Sequence, residues 1–178
     1  MYFNKNKLFV EKVDALKIVR KFGTPTYCYS LMKLKKNIHN FQESFKSIKP
    51  LVCFSVKSNS NRKILREIKK SGMGADVVSK GEMMQALRAG ILPKKIVFSG
   101  VGKKIDELKF AIEKKILLIN AESESEIFEI ERLAKSKRTI VNIGIRLNPN
   151  IDAKTLKKIS TGKHEDKFGL TEKKHKLK

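Results

Sequence analysis

Acidic residues are scarce in this chain of 178 residues: 18 Asp and Glu stand against 40 Lys and Arg, a formal net charge of +22. Such a deficit invites a nucleic-acid or anionic-membrane reading. The basic residues, however, are scattered along helix-like stretches and interleaved with Glu, as in Lys63 to Lys70 and Lys103 to Lys115, and no run of aromatics lies among them. A stacking surface for single strands is thereby disfavoured, and a solvated lysine-rich surface with no specific nucleic-acid partner is the expectation. Long apolar runs are missing too. Ile116-Leu-Leu-Ile119 is far below the roughly 18 residues that span a bilayer, so no membrane partner is expected. The two cysteines, Cys28 and Cys53, have no metal-ligand spacing, and Met1-Tyr-Phe-Asn-Lys-Asn-Lys7 lacks the apolar stretch of a signal peptide. A reducing cytoplasm fits both. No low-complexity linker or exact repeat is present.

What is present is a rhythm. From Leu51 onward, strand-period and helix-period patterns alternate every 20 to 25 residues or so, which implies βα units and a parallel sheet. The expected strands are Leu51 to Lys57, Met73 to Val78, Lys95 to Ser99, Ile116 to Asn120 and Thr139 to Leu147. Helices Arg62 to Lys70, Lys80 to Arg88, Asp106 to Lys114 and Glu124 to Lys135 lie between them. Ahead of these come a helix Asp14 to Lys21, extended candidates Leu8 to Val10 and Thr26 to Ser30, and an amphipathic helix Leu31 to Phe45. A complete eight-stranded α/β barrel needs about 250 residues. The chain is too short for one, and the expectation is an incomplete (β/α)8 TIM-like barrel of about five βα units.

Polar residues collect at the C-terminal ends of these strands: Lys57 and Asn59, Asp76 and Ser79, Ser99 and Gly100, Asn120 and Glu122, Arg146 and Asn148. Ligand sites of parallel α/β sheets lie at that edge. In the fifth strand Asn142, Gly144, Arg146 and Asn148 alternate with Val141, Ile143, Ile145 and Leu147, so one face should line an interior and the other meet helices. The first strand has the same sidedness, with Cys53, Ser55 and Lys57 opposite Val52, Phe54 and Val56. An ammonium in a closed interior costs several kcal/mol unless paired or neutralised, and a lysine kept there can serve as a Schiff-base nucleophile. Lys57 is therefore the candidate covalent cofactor anchor. A plainer reading stands beside each candidate: a snorkelling strand-end lysine for Lys57, a turn cap for Asp76, a structural ion-pair partner for Arg146.

The words Phe22-Gly-Thr-Pro-Thr-Tyr27, Phe54-Ser-Val-Lys-Ser-Asn59, Gly74-Ala-Asp-Val-Val-Ser79 with Gly81-Glu82, Arg146-Leu-Asn-Pro-Asn-Ile-Asp-Ala153, Ile159-Ser-Thr-Gly162 and Lys167-Phe-Gly169 occur in that order. Together they resemble the diaminopimelate decarboxylases, alanine-racemase-like fold-type III enzymes that use pyridoxal 5'-phosphate. The resemblance implies an N-terminal fragment of such an enzyme. Residues 1–30 would supply a strand to a largely missing β domain, 31–170 a partial cofactor-binding barrel, and 171–178 a basic tail. It implies that Lys57 holds the cofactor, with Asp76 and Arg146 near it and Asn148, Ser160, Thr161 and Lys167 beside the substrate. The Ser160 to Lys167 segment has a solvated loop as its plainer reading. The implied reaction is meso-2,6-diaminopimelate to L-lysine and CO2, with an amino acid as the small-molecule partner and a homodimer as the family's assembly. Ser58 replaces a usual alanine, and Leu156 stands where a histidine often follows. The family's phosphate loop, ring-nitrogen carboxylate and stacking histidine have no match here, so turnover is expected to need a C-terminal half. Another fold-type III decarboxylase or racemase, for ornithine, arginine or alanine, and a non-catalytic cofactor-binding remnant are the alternatives.

Overall fold

The computed structural model describes residues 1–149, 151 and 169–171. The chain divides into two compact units, Met1–Pro50 and Leu51–Lys178.

In the first unit, Tyr2–Asn4 (β1), Lys7–Val10 (β2) and Val13–Asp14 (β3) form an antiparallel sheet in the order β1-β2-β3. Lys5 and Asn6 link β1 to β2 with φ of 44° and 59°, the left-handed pair that a two-residue hairpin turn requires. Helix α1, Ala15–Phe22, starts where the Asp14 carboxylate accepts the Leu16 N–H at 2.8 Å. Thr26 to Ser30, expected to be extended, joins no sheet. Helix α2, Leu31–Ser44, is capped by Ser30, and the Glu11 carboxylate accepts from both the Ser30 hydroxyl (2.7 Å) and the Met32 N–H (2.9 Å). The Met32 N–H first, then the Ser30 hydroxyl, hold the Glu11 carboxyl below its ordinary value. A depressed folded value stabilises above the ordinary carboxylate range of about 4 and is lost as pH falls through the folded value. Glu11→Gln should therefore flatten the acid side of this unit's unfolding profile followed by helix circular dichroism.

In the second unit, Cys53–Ser55 (β4), Gly74–Val77 (β5), Ile96–Phe98 (β6), Leu118–Ala121 (β7) and Ile143–Ile145 (β8) form one parallel sheet in sequence order. Helices Arg62–Lys70 (α3), Lys80–Arg88 (α4), Ile105–Glu113 (α5) and Glu124–Ser136 (α6) connect them. The fold is thus α/β with an open five-stranded sheet, and the barrel is not closed. The alternation of burial follows the pleat. Ala75, Val77, Ile96, Phe98, Ile119 and Ala121 are fully buried, while Asp76, Val97, Leu118 and Asn120 on the other face are half-buried.

The fifth strand differs from expectation in two ways. It is split: β8 ends at Ile145, and Leu147–Asn148 (β9) pairs in parallel with Leu170–Thr171 (β10). The Arg146 N–H donates to the Ala121 carbonyl while its own carbonyl accepts from Leu170, so the ladder passes from β7 to β10 at this residue. Thr171, expected to open a patternless tail, lies in a strand. Gly169 makes the approach feasible: its φ is 87°, and a Cβ there would lie 3.0 Å from the Arg146 carbonyl oxygen. Secondly, Ile143, Ile145 and Leu147, expected to meet helices, are 38, 41 and 58% exposed, because no helix after β8 lies among the described residues.

Candidate functional site

The registers Ser55↔Asp76, Val77↔Phe98 and Ala121↔Ile145 place every polar strand end on one rim, the C-terminal edge of the sheet. Lys57 lies on that rim but not in a strand. β4 stops at Ser55, and Val56–Ser58 make a 3₁₀ turn in which Val56 is fully buried and Lys57 exposed. The Lys57 side chain expected in a closed interior is thus exposed. The apolar run misled here because Val56 earns its burial by packing in the turn rather than by continuing the pleat.

On the same rim, three strands and the residue that follows β6 contribute one connected polar row. The Ser55 hydroxyl donates to Asp76 Oδ2 at 3.4 Å, the Ser99 hydroxyl donates to Asp76 Oδ1 at 2.5 Å, and Asn120 Nδ2 donates to Ser99 Oγ at 3.0 Å. The next strand offers Gly144, where a Cβ would collide with Asn120 Oδ1. Asp76 is therefore clamped as an acceptor from both sides, more than the turn cap of the plainer reading.

Arg146 and Glu122 form a second cluster on the same rim. Arg146 Nη1 pairs with Glu122 Oε2 at 2.7 Å, and Glu122 Oε1 accepts the Gly100 N–H at 2.9 Å. The Glu122 side chain is 5% exposed. Arg146 is thus ion-paired across the rim to a buried carboxylate. Asn148 is buried at 5% exposure, beside the β10 pairing. Ser160, Thr161 and Lys167 lie outside the described residues.

Sequence reasoning missed Lys103, grouping it with solvated helix lysines. Its side chain is 1% exposed, and Nζ donates to the Gly100 carbonyl (2.7 Å), the Asn120 carbonyl (2.6 Å) and Glu126 Oε1 (2.7 Å), 5.5 Å from the centre of the Phe98 ring. All three ammonium protons are satisfied. What the sequence did offer is the helix-start spacing Ser123-x-x-Glu126, which sets the carboxylate that Lys103 meets: Ser123 Oγ accepts the Glu126 N–H, and Glu126 Oε2 accepts the N–H of Glu122, one residue before the cap. Ser79 and Glu82 repeat it at α4.

Cys53 sits at the bottom of β4, half-buried, and burial pushes its thiol above the ordinary range, with the Asp76 charge adding to the effect. Alkylation of Cys53 by iodoacetamide at neutral pH should be slower than that of a free cysteine, as peptide mapping can measure.

A rim carrying an exposed amine and a clamped carboxylate suits an aldehyde cofactor that is held covalently. The model of the pyridoxal binding domain of the pyridoxal-dependent decarboxylases matches residues 31–177. The chain belongs to this family. Its curated relatives include diaminopimelate decarboxylases of Helicobacter pylori strain J99, 48% identical over 156 residues, and of Vibrio cholerae, 40% identical over 173. These matches cover 88 and 96% of this chain but 38 and 42% of the relatives. Among solved structures, the diaminopimelate decarboxylase of M. jannaschii in complex with L-lysine superposes with a TM-score of 0.88 at 37% identity, over 97% of this chain and 41% of that one. That of Helicobacter pylori with L-lysine gives 0.85 at 46% identity, over 89 and 40%. The chain thus spans about two fifths of the decarboxylases it matches. Among its described residues no helix is long and apolar enough to cross a membrane, and no cluster of His, Cys, Asp and Glu could hold a metal ion.

Proposed function

We propose that this chain supplies the cofactor lysine and one side of the lumen of a pyridoxal-phosphate-dependent decarboxylase that converts meso-2,6-diaminopimelate to L-lysine and CO2. The observation that supports it most is the placement of Lys57 on the same C-terminal rim as the clamped Asp76, in a chain whose similar relatives are named diaminopimelate decarboxylases. Pyridoxal phosphate, when bound, supplies an electron sink for the bond that loses CO2.

Lys57 presents its amine at an accessible turn, the setting in which a carbonyl can reach it. Asp76 places an oriented carboxylate at the rim where a cation would sit, and Arg146 shapes the rim through Glu122. Asn148 with Ser160, Thr161 and Lys167 belongs to the substrate side of this reading. Residues 1–30 contribute to a second, β domain, a homodimer is the assembly, and the remaining strands come from sequence beyond Lys178 or from a second polypeptide. The compartment is the cytoplasm.

Two measurements test this. With pyridoxal phosphate and borohydride, the pyridoxyl group should map to Lys57, and Lys57→Ala should remove it; labelling spread evenly over surface lysines would overturn the assignment. Release of CO2 from meso-diaminopimelate should appear only when the missing part of the barrel is supplied, and equal release without it would refute the division of labour.

A further inference from the structure

The polar row has a direction. Asn120 gives an amide proton to Ser99, so the Ser99 hydroxyl is left to give its own proton to Asp76, and Ser55 gives a second from the opposite side. No donor in the row points away from Asp76. The row is also held at its far end. Asn120 Oδ1 occupies the place that a Cβ of residue 144 would take, so only glycine on β8 leaves Asn120 its present setting. Asn120 and Gly144 are register partners.

We propose that Ser99 and Asn120 are positioning residues for Asp76, and that Gly144 is the third member of the device because its missing side chain is what lets Asn120 reach Ser99. The aspartate on β5 is thus set from β8, three strands away. This deepens the proposed function, since a carboxylate with both oxygens occupied by donors keeps its orientation toward a cation at the rim. Where the row is broken, Asp76 is free to turn and to pair elsewhere.

The first arm of the test needs no cofactor. In the full chain labelled with ¹³C at the aspartate carboxyl carbons, the Asp76 resonance is assigned with Asp76→Asn. Ser99→Ala, Asn120→Ala and Gly144→Ala should each displace it, whereas Ser99→Thr, which keeps the hydroxyl, should leave it near its original position. An Asp76 resonance that stays in place in Asn120→Ala and Gly144→Ala would overturn the proposal. If Gly144→Ala does not yield folded protein, Ser99→Ala and Asn120→Ala decide it by the same criterion.

The second arm uses pyridoxal phosphate as probe. Borohydride-trapped label on Lys57 should fall about tenfold in Ser99→Ala and in Asn120→Ala, and neither change should lower it further in an Asp76→Asn background. Full additive losses in that background would show that the two residues act on the fold in general and would sink the positioning role. Should the original chain place no label on Lys57, the cofactor reading fails, and the resonance arm still decides whether Gly144 and Asn120 set Asp76.

Discussion

Lys103→Met is expected to destabilise the second unit by about 3–5 kcal/mol, the usual cost of removing one partner of a buried, hydrogen-bonded ion pair. Methionine fills most of the lysine volume, so the loss is electrostatic rather than a cavity. The substitution strands the Glu126 carboxylate, whose side chain is 9% exposed, and strips the Gly100 and Asn120 carbonyls of a donor. Glu126 retains only the Glu122 N–H and its own cap. Adding Glu126→Gln neutralises the stranded charge and keeps an acceptor for the Glu122 N–H, so the double variant should be more stable than Lys103→Met alone. Urea unfolding of the original chain and the two variants checks this. A loss below about 1 kcal/mol, the figure for an exposed pair, would mean that Lys103 is solvated after all.

The second large effect is a contrast along one sheet face. Ile119→Ala on β7 should cost about 2–5 kcal/mol, because Ile119 is fully buried and the space it leaves cannot collapse. Ile145→Ala on β8, the neighbouring strand, should cost less than about 1 kcal/mol, because Ile145 is 41% exposed. The same exposed stretch, with Ile143 and Leu147, is an apolar edge that favours association between chains. The purified chain should therefore be marginally stable and self-associate with rising concentration, as light scattering and thermal unfolding can follow. Supplying the missing part of the barrel should abolish the association and raise the cost of Ile145→Ala. A cooperative transition in a soluble monomer would contradict this.

How far the residues themselves announce these features varies with the physics behind them. Helices α3 to α6 were legible because Ile64, Leu65 and Ile68, or Ile130 and Leu133, recur at helical spacing and are indeed buried. The rim was legible because polar residues close each strand in a parallel sheet. Strand ends were not: Val56 is apolar for a reason of local packing, and a backbone that turns at Ser55 leaves no trace in hydrophobicity. β10 was invisible because a two-residue strand has no period. Lys103 was misread because a count of charges cannot distinguish an ammonium in water from one with three internal acceptors. The row from Ser55 to Gly144 was half legible: its members were singled out as polar or small strand residues, but their linkage depends on a register that only the fold supplies.

Five polar joints of the second unit share one property. Asp76 with Ser99, Lys80 with Glu107, Gly100 with Glu122, Lys103 with Glu126 and Glu122 with Arg146 are separated by 23, 27, 22, 23 and 24 residues, so each stitches a βα repeat to its immediate predecessor and none skips a repeat. A polypeptide leaving the ribosome can thus fasten each new turn of the wall to the one just laid, without waiting for residues not yet made.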